Sequence, residues 1–141
     1  MKPKATATWN GDLQSGNGTM SGESGAFSDL AFSFQTRFED APGTNPEELV
    51  GAAQAGCFSM AFSNELAKAD LNPTSVSTKA SVVLGAVEGG HAITRIDLVA
   101  IADVPGGDEA QIRQIADAAK QGCPISRSLS ADITLDLTIK T

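Results

Sequence analysis

Cys57 and Cys123 are the two cysteines of the chain, and they sit in different surroundings. Cys57 lies within the Ala/Gly-rich apolar run Leu49 to Phe62, which reads as helix. Cys123 follows Gly122 at the end of an amphipathic pattern and precedes Pro124. Two thiols in unlike environments suit a redox cycle in which one sulfur attacks and the other resolves. A free thiol titrates near 8.5, so at neutral pH most of it is unreactive. Burial in an apolar helix pushes that value higher, and Cys57 lies beyond the first helical turn, where the dipole is strong. It reacts only if a cation reaches it. Cys123 stands at a helix C-terminus, whose partial negative charge disfavours a thiolate, so it is expected to stay protonated until needed. The plainer reading, two inert buried thiols, stays open on the cysteines alone.

Cations near the start of the helix are scarce. Lys68 is near its far end, and Arg37, ahead of the cap loop, is the best candidate. Glu47 is placed to pair with Arg37 and aim it. Yet ten residues separate Glu47 from Cys57, roughly 15 Å along an unbroken helix. Either the helix breaks near Gly51, or Arg37 and Glu47 serve the Cys57 of a second subunit. The small-residue helix favours the second arrangement, since two such helices pack closely across a two-fold axis.

Other chemistry has less support. His91 is the one histidine and falls in a Gly-Gly-His turn. With no Cys-x-x-Cys pair beside it, a metal site is not expected. Ser126, Ser128 and Ser130 lack a nucleophile-elbow pattern. Asp108 and Glu109 read as helix-start charge rather than as a catalytic pair. No Gly-rich phosphate loop is present; Gly16-Asn17-Gly18 reads as a hairpin turn.

These residues need elements to place them. Residues 4 to 12 read as a strand, and Phe27 to Phe38 as an extended segment with Arg37 near its end. Thr44 or Asn45 is placed to cap a long helix from about Pro46 to Asp70, with Pro46, Glu47 and Glu48 suited to its first turn. That helix is apolar on nearly all sides over its first two thirds and is expected to be buried. Ser75 to Val87 and Ala92 to Asp103 form strands joined by Glu88-Gly89-Gly90-His91. Residues 109 to 121 place Ile112, Ile115, Ala116 and Ala119 on one helical face, with Gly122 as a stop. Residues 132 to 139 alternate Ile133, Leu135, Leu137 and Ile139 against Asp and Thr, a half-buried strand. The order gives an α+β fold, and 141 residues without a linker or repeat give a single domain over 1–141.

Composition narrows the partners. The formal net charge of −7 argues against nucleic acid and against an anionic membrane surface. No segment approaches the ~20 apolar residues of a membrane span, and no apolar stretch follows Lys2 and Lys4 as in a signal peptide. A cytoplasmic location is expected, where cysteines are more often free or catalytic than bridged. With 41% hydrophobic and 5% aromatic residues and no Tyr, the core is filled by aliphatic side chains, Phe and Ala.

The run Gly43-Thr44-Asn45-Pro46-Glu47-Glu48-Leu49-Val50-Gly51-Ala52-Ala53, followed by Ala55-Gly56-Cys57-Phe58-Ser59-Met60, resembles the signature of the osmotically inducible protein C and organic hydroperoxide resistance (OsmC/Ohr) family. Cys123-Pro124-Ile125-Ser126 resembles its second cysteine motif, and Thr36-Arg37-Phe38 ahead of the Pro-Gly loop looks like the OsmC branch. The resemblance spans essentially the whole chain. It implies an OsmC-like fold assembled as an intertwined homodimer with two sites at the subunit interface. It also implies a cysteine peroxidase acting on organic hydroperoxides and, less well, on hydrogen peroxide. Under it, Cys57 is peroxidatic, Cys123 resolves, Arg37 holds the thiolate and Glu47 orients Arg37. The reductant is a dithiol such as protein-bound dihydrolipoamide, with no metal or organic cofactor. Gln54 and Gly56 depart from the family pattern and bear on substrate preference. Phe58, Met60 and Phe62 are candidates for apolar pocket walls, with core packing the competing role. The competing function is a non-catalytic dimeric binding or stress protein that retains the fold; general disulfide exchange is a third.

Overall fold

The computed structural model describes residues 1–141, which divide into two compact units, Met1–Leu49 and Val50–Thr141. In the first, β1 (Ala5–Asn10), β2 (Asn17–Gly22) and β3 (Leu30–Ser33) form an antiparallel sheet in that order. The turn between β1 and β2 is not the expected Gly16-Asn17-Gly18. Asn17 and Gly18 are already paired in β2, opposite Asn10 and Trp9. Asp12 makes the turn, its Oδ1 accepting from the N–H groups of Gln14 and Ser15 at 2.9 Å, with Gly11 at a φ of +89°. An Asx turn outcompetes the Asn-Gly signal because its carboxylate satisfies two backbone donors at once.

The extended segment expected over Phe27 to Phe38 also divides. After β3 the chain turns into α1 (Phe34–Phe38), so Arg37 is helical. Ser33 and Thr36 form a reciprocal capping box: Ser33 Oγ accepts from Thr36 N–H at 3.3 Å, and Thr36 Oγ1 accepts from Ser33 N–H at 2.9 Å. Local side-chain bonds here defeat the aromatic strand pattern.

The long helix α2 (Pro46–Lys68) begins in the first unit and continues in the second. Asn45 caps it, its Oδ1 accepting from Glu48 N–H at 2.8 Å while its Nδ2 donates to Thr36 O. The helix runs unbroken through Gly51, which removes the alternative of a break there. It is buried on one stripe rather than all round: Gly51, Gln54, Phe58, Phe62 and Leu66 are buried, while Ala52, Ala53, Gly56 and Met60 are exposed. A near-uniform apolar composition hides that polarity from a sequence reading.

In the second unit, β4 (Ser75–Val87) and β5 (Gly90–Asp103) form the expected hairpin, closed by Glu88 and Gly89 with Val87 opposite Gly90. Gly89 takes a φ of +86°, which favours glycine. β6 (Asp132–Lys140) pairs parallel to β5, so the chain crosses over through α3 (Glu109–Gly122) and α4 (Pro124–Ser128). Asp108 caps α3 through Gln111 N–H at 2.9 Å. Gly122 is the last helical residue rather than a stop beyond the helix, and Cys123 is the C-cap. The core joins Phe58, Phe62 and Leu66 of α2 to Ile96 and Leu98 of β5 and Ile112 and Ala116 of α3. At Gly51 a Cβ would come within 3.2 Å of Val82 Cγ2, so the absent side chain lets α2 lie close on β4. No helix is long and apolar enough to cross a membrane.

Candidate active site

The second unit brings the two cysteines together. Cys57 is on α2, on the turn between buried Gln54 and Phe58, and is partly exposed. Cys123 links α3 to α4 and is fully buried. Both are free, and their sulfurs lie 2.7 Å apart, closer than two non-bonded sulfurs ordinarily approach. A disulfide is about 2.05 Å long, so little movement separates this contact from a covalent bond.

Burial pushes the Cys57 thiol up, and its hydrogen bond with Cys123 adds to the rise; the backbone N–H of Ile125 acts against both. Burial also works to raise Cys123. There it is outweighed by the hydrogen bond with Cys57, by the N–H and hydroxyl of Ser126 and by the N–H of Ile125, which together hold Cys123 below the ordinary thiol value. For Cys57 the direction is the one burial leads to expect; for Cys123 it is opposite to what the C-terminus of α3 alone would give. The expectation placed Cys123 only at the C-terminus of α3. The same residue is also the N-cap of α4, with Pro124 at the first position; its side chain makes no cap hydrogen bond, but the amides of Ile125 and Ser126 in that new turn act to lower it. Cys123-Pro124 carried that signal, since Pro is favoured as an opening helical residue.

Sequence reasoning treated Gln54 only as a departure from pattern. It is fully buried, and its Nε2 donates to Ser126 Oγ at 2.8 Å and lies 4.0 Å from Cys123 Sγ. Its Oε1 is buried without a hydrogen-bond partner. Such an unpaired carbonyl costs about 1–3 kcal/mol. Of the proposed pocket walls, Phe58 and Phe62 are core residues with rings 5.6 Å apart, while Met60 is exposed.

The first unit brings Arg37 and Glu47 together. Arg37 Nη2 donates to Glu47 Oε1 at 2.7 Å, and its Nε donates to both carboxylate oxygens at 3.1 and 3.2 Å. This fork fixes the plane of the guanidinium. Its charge also lies over the Phe38 ring, 5.1 Å from the centroid. Glu47 reaches Arg37 because Asn45 ties the start of α2 to α1. Beside the pair is a cavity of about 250 Å³ lined mostly by apolar side chains, among them Trp9, Leu13, Phe32 and Phe34, with Ser33 and Arg37 as its polar lining. Largely apolar walls with one hydroxyl and one cation fit a molecule with an alkyl or aryl body and a small polar end.

The family model for OsmC-like proteins matches residues 38–138. The chain is 49% identical over 138 residues to "Peroxiredoxin OsmC" of Escherichia coli, covering 98% of this chain and 96% of that protein. It is 38% identical over 98 residues to an organic hydroperoxide resistance protein of Xanthomonas axonopodis, covering 69% of this chain and 67% of that one. Among solved structures, an OsmC-like protein of unknown function from Vibrio cholerae superposes with a TM-score of 0.78 at 20% identity, covering 98% of this chain and 99% of the other. An OsmC-like protein from Mycoplasma pneumoniae superposes with a TM-score of 0.74 at 18% identity, covering 100% and 99%. These two likenesses show the shared fold.

Proposed function

Because the chain belongs to the OsmC-like family, we propose that it is a thiol peroxidase that reduces organic hydroperoxides, and hydrogen peroxide less well, through a Cys57–Cys123 disulfide cycle. The observation that carries this reading is the 2.7 Å contact between two free sulfurs, one partly exposed and one buried. The names of the relatives, a peroxiredoxin and an organic hydroperoxide resistance protein, agree with it.

The Cys57 thiolate attacks the distal peroxide oxygen. The O–O bond breaks, the alkoxide takes a proton and leaves as the alcohol, and Cys57 becomes a sulfenic acid. The Cys123 thiolate then attacks the Cys57 sulfur. The S–S bond forms, and hydroxide leaves as water after protonation. A dithiol, small or carried as a lipoyl group on a protein, returns two electrons through two thiol–disulfide exchanges. The proposed setting is the cytoplasm, where such reductants are available.

Burial raises Cys57, so its thiolate needs a cation. Arg37 is assigned that role, with Glu47 holding the guanidinium plane. The cavity beside Arg37 takes the organic body of the hydroperoxide. We place the pair across the interface of a homodimer. The unbroken α2 supports this, as do its exposed apolar face at Ala52, Ala53, Gly56 and Met60 and the apolar Val99 and Ile101 exposed on β5.

Turnover of cumene hydroperoxide with dithiothreitol tests the reading. The wild-type protein consumes peroxide catalytically and Cys57→Ser does not. Undiminished consumption by Cys57→Ser refutes the cycle, and an inert wild-type protein favours a binding role instead.

A further inference from the structure

The amide of Gln54 occupies a position on α2 that packing alone would give to an apolar side chain. Its neighbours along the buried stripe are Gly51, Phe58, Phe62 and Leu66. An amide there with its Oε1 unpaired is not explained by stability. Its other end is used: Nε2 donates to Ser126 Oγ at 2.8 Å and lies 4.0 Å from Cys123 Sγ. A hydroxyl has one hydrogen. Once Ser126 Oγ accepts from Gln54, that hydrogen is left for another acceptor, and Gln54 Nε2 spans Ser126 Oγ and Cys123 Sγ.

We infer that Gln54 is a positioning residue for the resolving step: by donating to Ser126 Oγ it turns the Ser126 hydroxyl hydrogen onto Cys123 Sγ and keeps the buried sulfur ready to act as a thiolate. The inference rests on the disulfide cycle proposed above. Its consequence lies in both halves of that cycle. When Cys57 carries a sulfenic acid, the Cys123 thiolate attacks the Cys57 sulfur and hydroxide departs. When a reductant thiolate attacks the disulfide, Cys57 is the partly exposed sulfur and Cys123 is buried. The new S–S bond therefore forms on Cys57, and Cys123 departs with the electron pair, received by the Ser126 hydroxyl. A leaving thiol of lower pKa leaves faster. Burial works to raise the Cys123 thiol and the hydrogen bond with Cys57 lowers it most, with the amide and hydroxyl of Ser126 and the amide of Ile125 acting in the same lowering direction; Cys57 is the titratable group against it.

The test uses Cys57→Ser protein, in which Cys123 is the one remaining thiol, and follows thiolate absorbance near 240 nm against pH. Gln54→Met, which keeps length and removes the N–H, and Ser126→Ala, on the partly exposed α4, are compared in that background. Each is expected to raise the Cys123 midpoint by about 1 to 2 pH units, the scale of one hydrogen bond to a charged group. A purely structural amide would lower thermal stability and leave the midpoint in place, and an unmoved midpoint in either variant overturns the inference. With Cys57 present, protein oxidised by one equivalent of cumene hydroperoxide is reduced by dithiothreitol. Gln54→Met is expected to be reduced a few-fold more slowly, and an equal rate overturns the leaving-group role. Failure of the wild-type protein to form the disulfide overturns the cycle itself, and is read separately from the midpoints.

Discussion

At the scale of residues, the chemistry turns on two sulfurs whose acidities the fold sets apart. Burial raises Cys57, and hydrogen bonds lower Cys123. Within the proposed cycle, the attacking sulfur is thus the one that most needs outside charge. An opposite charge within about 4–6 Å lowers a pKa by 1–3 units. Arg37→Ala is therefore expected to cut peroxide consumption at pH 7 by about 10- to 1000-fold. The sign with pH follows. Loss of the cation leaves the Cys57 thiol higher, so the variant's rate climbs with pH across the range where the wild-type rate is already flat. A stopped-flow pH profile checks this, and a profile with an unchanged midpoint denies Arg37 its role. Cys57, Cys123, Arg37 and Glu47 were all visible in sequence as chemistry-bearing types. The lowering of Cys123 is not legible in sequence because a residue ending one helix also opens the next, and a sequence pattern shows the first boundary more plainly than the second. Gln54 is marked in sequence only as a departure from the family pattern; its link to Ser126 joins residues far apart in the chain and is not written locally.

At the scale of elements, α2, the β4–β5 hairpin, α3 and β6 were legible because each carries its own periodicity, cap or turn. Asp108 before α3, Glu88-Gly89 at the hairpin and alternating Ile133, Leu135 and Leu137 in β6 are local signals that the packing does not contradict. The elements missed, α1 and α4, have five residues each, too few for a period to show. Caps decide them, through Ser33 and Thr36 in one and Pro124 in the other. α2 bears the most weight, since it carries Cys57 beside a buried stripe that holds the core residues Phe58, Phe62 and Leu66. Truncation of Phe62, fully buried against Phe58, is expected to cost about 3–5 kcal/mol. Urea unfolding followed by circular dichroism measures it. A loss well below 1 kcal/mol would show that α2 is not anchored by that ring.

At the scale of the whole molecule, the proposal concerns two chains. The outer face of α2 carries Ala53, Gly56 and Met60, and Met60 is 77% exposed. An apolar helix face of this kind suits a second copy. If Arg37 serves the Cys57 of its partner, two inactive variants complement each other. Mixing Arg37→Ala with Cys57→Ser and allowing subunits to exchange gives mixed dimers in which one site has both an intact Cys57 and an intact Arg37. About a quarter of wild-type activity per site is expected from random pairing of equal amounts. If the pair acts within one chain, no mixture regains activity.

The most direct measurement asks which sulfur the peroxide oxidises. Cys123→Ser and Cys57→Ser proteins are each treated with one equivalent of cumene hydroperoxide in the presence of dimedone, and the adduct is located by peptide mass spectrometry. The account predicts a stoichiometric adduct on Cys57 in the first protein and none on Cys123 in the second. Rapid labelling of Cys123 in the second, with Cys57 unlabelled in the first, would contradict it by assigning the attack to the more acidic, buried sulfur.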